Sequence, residues 1–424
     1  MMTKSMLMLR RRHGFVLLLV LLFVSGCVRT PSEPRESMAL QPPVVHPLDS
    51  PAGPDSREPN LFATDDGRVI LSWVEKGSEN RYRLRFVVRT SKVWSDARTV
   101  AEGANWFINW ADFPSVISLN DGSFAAHWLV KSGAGTYAYD VNVARAEDGG
   151  DWSKPIVPHA DKTQTEHGFV SLLPLTDGRI GAIWLDGRNF SNTQHGEGDH
   201  GAAKANMTLR YAAIDRSGTV SDEAVLDERV CECCQTAATM TETGAVVVYR
   251  DRSPDEVRDI YVVRYQAGQW SSPQPVHVDG WKIDGCPVNG PSISAYGRQV
   301  AVAWYTEAGN NPRVNVAFSK DAGASFGPPH QIDDGDAVGR VGVAMLPDGG
   351  VYVCWLSGTV ESGAIKVRRV TADGTLGPVA IVATSDISRS SGFPRLARMG
   401  DEILFAWTEF GKPSYVRTAI AGLN

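Results

Sequence analysis

The run RVILSW at residues 68–73 is short, apolar and rich in β-branched side chains, and it closes on a tryptophan. The same pattern returns as SFAAHW (123–128), RIGAIW (179–184), AVVVYR (245–250), QVAVAW (299–304), GVYVCW (350–355) and EILFAW (402–407). The aromatic posts Trp73, Trp128, Trp184, Tyr249, Trp304, Trp355 and Trp407 are spaced by 55, 56, 65, 55, 51 and 52 residues. A repeat of that size built from short strands is one four-stranded blade, and repeated blades make a propeller. The sequence therefore predicts an all-β chain folded as a β-propeller of seven four-stranded blades. Six blades with one displaced repeat is the alternative.

Working outward from the posts, the fifth repeat reads as an inner strand from Pro291, a second over 299–304, a third over 314–319 and a weaker fourth after Phe326. The last repeat, Pro394 to Ala419, supplies only about three strands. A segment before Glu58, such as Pro43 to Pro47, is expected to add the fourth and close the ring.

Ahead of the repeats, Arg10, Arg11 and Arg12 precede an apolar run from Gly14 to Val24, which ends in Val24-Ser25-Gly26-Cys27. That charge order, on a stretch short for a spanning helix, reads as a signal peptide. Its end resembles the bacterial lipobox, which implies lipidation of Cys27. Val28 follows where the sorting rule of such lipoproteins has Asp for inner-membrane retention, so the expected location is the cell envelope, anchored to the outer membrane. Residues 28–56 hold seven prolines and few large apolar side chains, the composition of an extended tether. Residues 57–424 form the propeller. A formal net charge of −6 offers no basic stripe for nucleic acid. The expected protein is a monomer, touching the membrane through its lipid anchor only.

Ser319-Lys320-Asp321-Ala322-Gly323-Ala324-Ser325-Phe326 matches S-x-D-x-G-x-x-W/F, the Asp box or BNR repeat of sialidase-like propellers. A degenerate copy stands at Glu147 to Trp152, and fainter echoes stand at Asp215 to Gly218 and Ala372 to Gly374. A short Asp caps the hairpin backbone, Gly permits positive φ, and the aromatic plugs the blade. The chain thus resembles the sialidase-like family through its repeat plan.

Strand direction sorts the polar residues. The start of each inner strand and the end of each second strand share one face, the mouth, and the Asp-box hairpin falls on the other. The mouth set includes Trp110 and Asp112; Glu166 and His167; Cys231 to Gln235; Cys286 and Asn289; Arg340; and Phe393, with Glu75, Asp186, Arg188, Arg250, Asp251, Arg252, Glu307 and Glu409 after the posts. Arginine forks bind carboxylates bidentately. Arg188, Arg250, Arg252 and Arg340, with His167, Trp110 and Glu307, are accordingly expected to bind substrate. Asp186, Asp251 or Asp112 would serve as catalytic acid/base. Blade-to-blade salt bridges are the other reading of the same pairs. The family resemblance implies an arginine triad, an Asp acid/base and a Tyr–Glu nucleophile; Tyr249 or Tyr415 could supply the phenol. The family's F-R-I-P signature is absent, and Glu58-Pro59-Asn60-Leu61 stands near its place.

Cys231, Cys233, Cys234 and Cys286 precede the inner strands of adjacent blades. In an exported protein they read as two disulfides of open connectivity, with a soft-metal site as the alternative. Cys354 reads as a core thiol. The Asn192 to Ala205 loop, with His195, Glu197, Asp199 and His200, reads as a polar loop, with a lid or cation site as the alternative. No cofactor or metal is expected. The function expected is an exported propeller that acts on or binds glycans, a glycoside hydrolase if an enzyme. A non-catalytic glycan- or protein-binding propeller and a Cys-centred redox or metal protein are the alternatives.

Overall fold

A computed structural model describes residues 40–90, 92–192, 205–359 and 362–423. The signal segment with Cys27 and the loop residues His195, Glu197, Asp199 and His200 lie outside the described residues. Seven antiparallel sheets form the chain, and the helical segments among the described residues are four short 3-10 turns. The inner strands of blades one to seven are Ser56–Ala63, Ser115–Ser118, His167–Pro174, Ala237–Thr241, Ser292–Tyr296, Ala337–Met345 and Arg395–Met399. Each touches the next around a closed circle, and Arg395–Met399 returns to Ser56–Ala63. Seven blades, rather than six, is the observed count.

Closure is by the expected route. Val45–Leu48 pairs antiparallel with Tyr415–Gly422 as the outer strand of the seventh blade, Val45 facing Ala421 and Leu48 facing Thr418. This pairing fastens the seventh blade with a segment that precedes the first, so the ring is closed by strand pairing between sequence-distant segments. The second blade departs from the plan: beyond Ser115–Ser118, Phe124–Lys131 and Tyr139–Ala146 it has isolated pairings of Val143 with Ile156 and Ala146 with Trp152.

The core lies between blades. Val and Ala on one sheet interdigitate with the next, as where Ala301, Ala303 and Val314 meet Val343, Met345 and Trp355. Four of the posts are buried and tied down: Trp73 Nε1 donates to Glu75 at 3.1 Å, Trp184 Nε1 to Asp186 at 2.8 Å, Trp304 Nε1 to Asp279 at 2.6 Å and Tyr249 Oη to Asp227 at 2.6 Å. A buried indole N–H needs an acceptor. Several carboxylates near the posts therefore serve the scaffold. On the opposite face, Asp321 caps its turn by accepting from the Ser325 amide (2.9 Å) and the Ser319 hydroxyl (2.7 Å), with Gly323 at φ +77°.

Candidate functional site

Three inner strands break register at the same place. One extra residue enters between Arg57 and Asn60, between Gly168 and Ser171, and between Gly339 and Gly342. Each bulge contains a non-glycine residue in the left-handed region: Glu58 (φ 54°), Phe169 (φ 52°) and Arg340 (φ 53°). Such backbone costs about 1–3 kcal/mol per residue and recurs where a side chain must be re-aimed.

The third-blade bulge presents the Phe169 amide to Asp112 Oδ1 at 2.7 Å. The Tyr139 hydroxyl stands 2.8 Å from Asp112 Oδ2 and 2.9 Å from Glu166 Oε1. A phenol has one hydrogen, so it can donate to only one of these carboxyls; the other must hold a proton and donate to the phenol oxygen. Burial raises Asp112 to about 7 against the Tyr139 and Phe169 hydrogen bonds. Burial likewise raises Glu166 to about 8, opposed by Tyr139 and assisted by the charges of Asp112 and Cys231. The Tyr139 hydroxyl is pushed well above its ordinary value by burial and by both carboxylates. Only glycine fits at 168, since a Cβ there would stand 2.0 Å from Asp112 Oδ2.

Of two cavities, one is lined by members of this group and the other by Glu58. The first, about 190 Å³, runs down the axis between inner strands and is lined by Asn60, Asp112, Gln235, Phe393 and Arg395 among others. The second, about 150 Å³, is walled by Arg57, Glu58, Ile108, Trp110, Arg389 and Phe410. Glu58 is 7% exposed, and its Oε2 is buried without a hydrogen-bond partner, as is Arg57 Nε. Burial raises Glu58 to about 8, with Arg57 opposing and Asp112 adding to the rise. Trp110 stacks on Phe393 with centroids 5.8 Å apart, under the Arg340 guanidinium at 4.7 Å.

The arginines expected to bind substrate do not converge, and none of them lines these cavities. Arg250 donates to the carbonyls of Asn289 (2.7 and 2.9 Å), Arg258 (2.6 Å) and Tyr305 (2.8 Å), and lies over Trp281. Arg340 donates to Ser388 O (2.8 Å), Gly392 O (3.0 Å), Ile387 O (3.2 Å) and Ser391 Oγ (2.9 Å). Arg188 grips Asp186 bidentately at 2.7 Å, and Arg252 pairs with Glu232 and Glu256. The physical reason is local. Strands ending at the mouth leave carbonyls that must be satisfied, and a buried five-donor guanidinium does this for several at once.

Of the three expected catalytic carboxyls, Asp112 lines the axial cavity. Asp186 is fully buried and held by Trp184 and Arg188. Asp251 is half-buried beside Asp227, and burial together with that neighbour raises it to about 7; it lines neither cavity. Glu307 is half-buried at the turn Ala308–Asn310, whose Asn310 amide its carbonyl accepts at 3.0 Å. His167 is buried behind Tyr139, its Nδ1 3.3 Å from the Tyr139 carbonyl oxygen, and its Nε2 is 3.1 Å from Asp161, which also meets His159 Nδ1 at 3.0 Å. Asp140, His159 and His167, and Asp161, His167 and Asp186, bring metal-ligating atoms together. The two imidazoles stack at 3.8 Å and 8°, so one ion cannot lie in both ring planes. The arrangement suits shared protons instead: burial and the His167 charge lower His159 to about 4, whereas Asp161 and Asp186 raise His167 against its burial.

Cys233 is bonded to Cys286, while Cys231, Cys234 and Cys354 are free and buried. Cys354 is the core thiol expected. Two site residues escaped the sequence: Tyr139 opens a third strand, which also begins at the mouth, and Glu58 sits in the bulge of the first inner strand, where a Glu-Pro pair was the available signal.

No family model matches the chain, and no curated protein matches it. Solved structures do match. An ulvan lyase of polysaccharide lyase family PL25, also solved bound to -[GlcA(1-4)Rha3S]-, superposes with a TM-score of 0.52 at 10% identity, over 91% of this chain and 96% of that one. The polysaccharide lyase Uly1 gives 0.50 at 8% identity, over 87% and 90%. A variant of NanB sialidase from Streptococcus pneumoniae gives 0.45 at 10%, over 84% and 83%. The chain shares the propeller fold of the two lyases.

Proposed function

We propose that the chain hydrolyses an acidic glycoside at the mouth of the propeller. The observation that carries this reading is Glu58, a buried carboxyl with an unpartnered oxygen at a cavity wall beside Arg57 and Trp110. Raised to about 8, it keeps its proton at neutral pH and can give it to a leaving glycosidic oxygen. Arg57 and Arg389 supply positive charge for a carboxylate or sulfate on the sugar, and Trp110 and Phe410 supply apolar surface. Asp112, coupled to Glu166 through Tyr139, provides a second carboxyl close enough to raise Glu58 further. An acid and a base carboxyl flanking the scissile bond are the minimum for glycoside hydrolysis; here Glu58 lines the second cavity and Asp112 the axial one beside it. The solved ulvan lyase bound to -[GlcA(1-4)Rha3S]-, which shares the fold, is in keeping with an acidic polysaccharide as ligand.

The test is release of reducing ends from a panel of uronate-bearing, sulfated and sialylated glycans. Loss of release in Glu58→Gln, with the glycan still bound, is expected. A wild-type protein that leaves every glycan intact while binding one would replace hydrolysis with recognition. That second reading is favoured by one observation: Asp112, the second carboxyl, is 2% exposed and lines a different cavity from Glu58.

The proposal also puts the ring in the cell envelope, held by lipid on Cys27; the tether expected over residues 28–56 is then shortened, since Val45–Leu48 belongs to the seventh blade. Metabolic labelling with a fatty acid, lost in Cys27→Ala, is the expected outcome.

A further inference from the structure

The segment Cys231-Glu232-Cys233-Cys234 enters the fourth blade with its first and last sulfurs 2.7 Å apart, and both residues are 1% exposed. Two thiolates sharing a tetrahedral zinc, with Zn–S near 2.3 Å, stand about 3.8 Å apart. Two bonded sulfurs stand about 2.05 Å apart. The observed separation is too short for joint ligation of an ion and approaches the covalent case. Cys233, 3.9 Å from Cys231, is already bonded to Cys286, so two thiols remain where a structural zinc site needs four ligands.

We propose that Cys231 and Cys234 are an oxidisable pair that closes a second disulfide, completing a double clasp that braces the mouth. The role given to the mouth rests on the function proposed above; the bond itself does not. Arg258 Nη1 donates to Cys231 Sγ at 3.3 Å. Burial pushes the Cys231 thiol up, but the Cys234 hydrogen bond and the Arg258 charge outweigh it and hold it below its ordinary value. Cys231 is therefore the attacking thiolate. It displaces one sulfur of a small or protein disulfide, R–S–S–R, forming Cys231–S–S–R and releasing RS⁻. The Cys234 thiol loses its proton and attacks Cys231 Sγ, forming the Cys231–Cys234 bond and releasing the second RS⁻. Two cysteine sulfurs are oxidised, the reagent is reduced to two thiols, and the two protons go to them. Since both cysteines are buried in the finished fold, the exchange belongs to late folding, once Arg258 and Cys234 stand beside Cys231 but before the blade entrance closes over them.

What the clasp braces is the next residue. Gln235 Nε2 donates to Ala111 O at 2.6 Å, and its Oε1 accepts from the Gly290 amide at 3.0 Å. Ala111 precedes Asp112, and a Cβ on Gly290 would stand 2.1 Å from Gln235 O. One side chain thus ties the entries of blades two, four and five across the axis, and its backbone is anchored by the clasp.

The test uses the full chain, exported to an oxidising compartment and purified without reductant. It is unfolded in N-ethylmaleimide, digested and mapped by mass spectrometry. The expected result is label on Cys354 and none on Cys231 or Cys234 until a phosphine reductant is added. Label on both without reduction, or a stoichiometric metal in the native protein, overturns the proposal. Bracing is read by hydrogen exchange of residues 110–113, expected to quicken about tenfold in the Cys231→Ser, Cys234→Ser double variant and in the phosphine-reduced wild type. Unchanged exchange in the reduced protein overturns that part, even if the variant fails to fold. Neither readout needs activity, so an inactive but clasped wild type would sink the glycosidase reading alone.

Discussion

The hydroxyl of Tyr139 lies 2.8 Å from Oδ2 of Asp112, joining the third strand of the second blade to the loop that leads into its inner strand. Glu166, from the entry to the third blade, completes the group at 2.9 Å. Tyr139→Phe leaves two buried carboxyls without their common partner. Orphaning a buried polar group costs about 1–3 kcal/mol, so urea unfolding at pH 7 is expected to shift by that amount. On the proposed chemistry, kcat also falls by about a hundredfold or more as proton positioning is lost. An unchanged unfolding midpoint would show that the hydroxyl links nothing.

Stability should fall as pH rises from about 4 to 8. Glu58 and Glu166 at about 8, and Asp112 at about 7, all stand above their ordinary values through burial. These three groups hold more protons in the folded chain than in the unfolded one across that interval and make the slope negative; His127 and His159, which burial lowers to about 3 and about 4, oppose them up to about 6.5, so the fall is steepest from there to 8. Their stabilisation is complete below the unfolded values near 4 and is lost as pH passes 7 to 8. Capped carboxylates such as Asp321, held at about 2 chiefly by Ser325 and Ser319 against burial, oppose this only as pH falls below about 4. Thermal unfolding across pH 4 to 9 reads the slope, and Glu58→Gln should flatten it.

The ring was legible because its signal repeats: seven posts at near-constant spacing fix seven blades, and the deficit of strands in the last repeat points to an N-terminal partner. The mouth was legible as a face. Its wiring was not, because a residue's place along a strand does not say whether a guanidinium turns to the axis or to the seam. Arg250 and Arg340 turned to carbonyls whose need arises only once blades are packed. Tyr139 was missed because it opens a third strand, and its phenol meets Asp112 and Glu166 only through the packing of two blades.

Arg250→Ala should behave as a folding lesion. It leaves the carbonyls of Asn289, Arg258 and Tyr305 without this donor in a site where Arg250 itself is 1% exposed. A loss of about 3 kcal/mol or more in denaturant unfolding is expected. Arg250→Lys should recover little, because one ammonium cannot reproduce the planar fork. A stable variant that had merely lost affinity for an acidic glycan would return Arg250 to the substrate.

Gly168→Ala tests whether the bulge was built to admit Asp112. The new Cβ would stand 2.0 Å from Asp112 Oδ2 and 2.8 Å from the Tyr139 hydroxyl, so the carboxylate must move. Overpacking of this kind costs about 1–3 kcal/mol, and here it also separates Asp112 from the Phe169 amide. Gly422→Ala is the matched control, since nothing lies within 4 Å of its added methyl. The measurement is paired thermal unfolding of the two variants with glycan cleavage by each. The mouth variant should lose stability and cleavage together, and the control neither. Equal behaviour of the two would mean that Asp112 has room to relax, and that the contact with Tyr139 is not what holds the mouth.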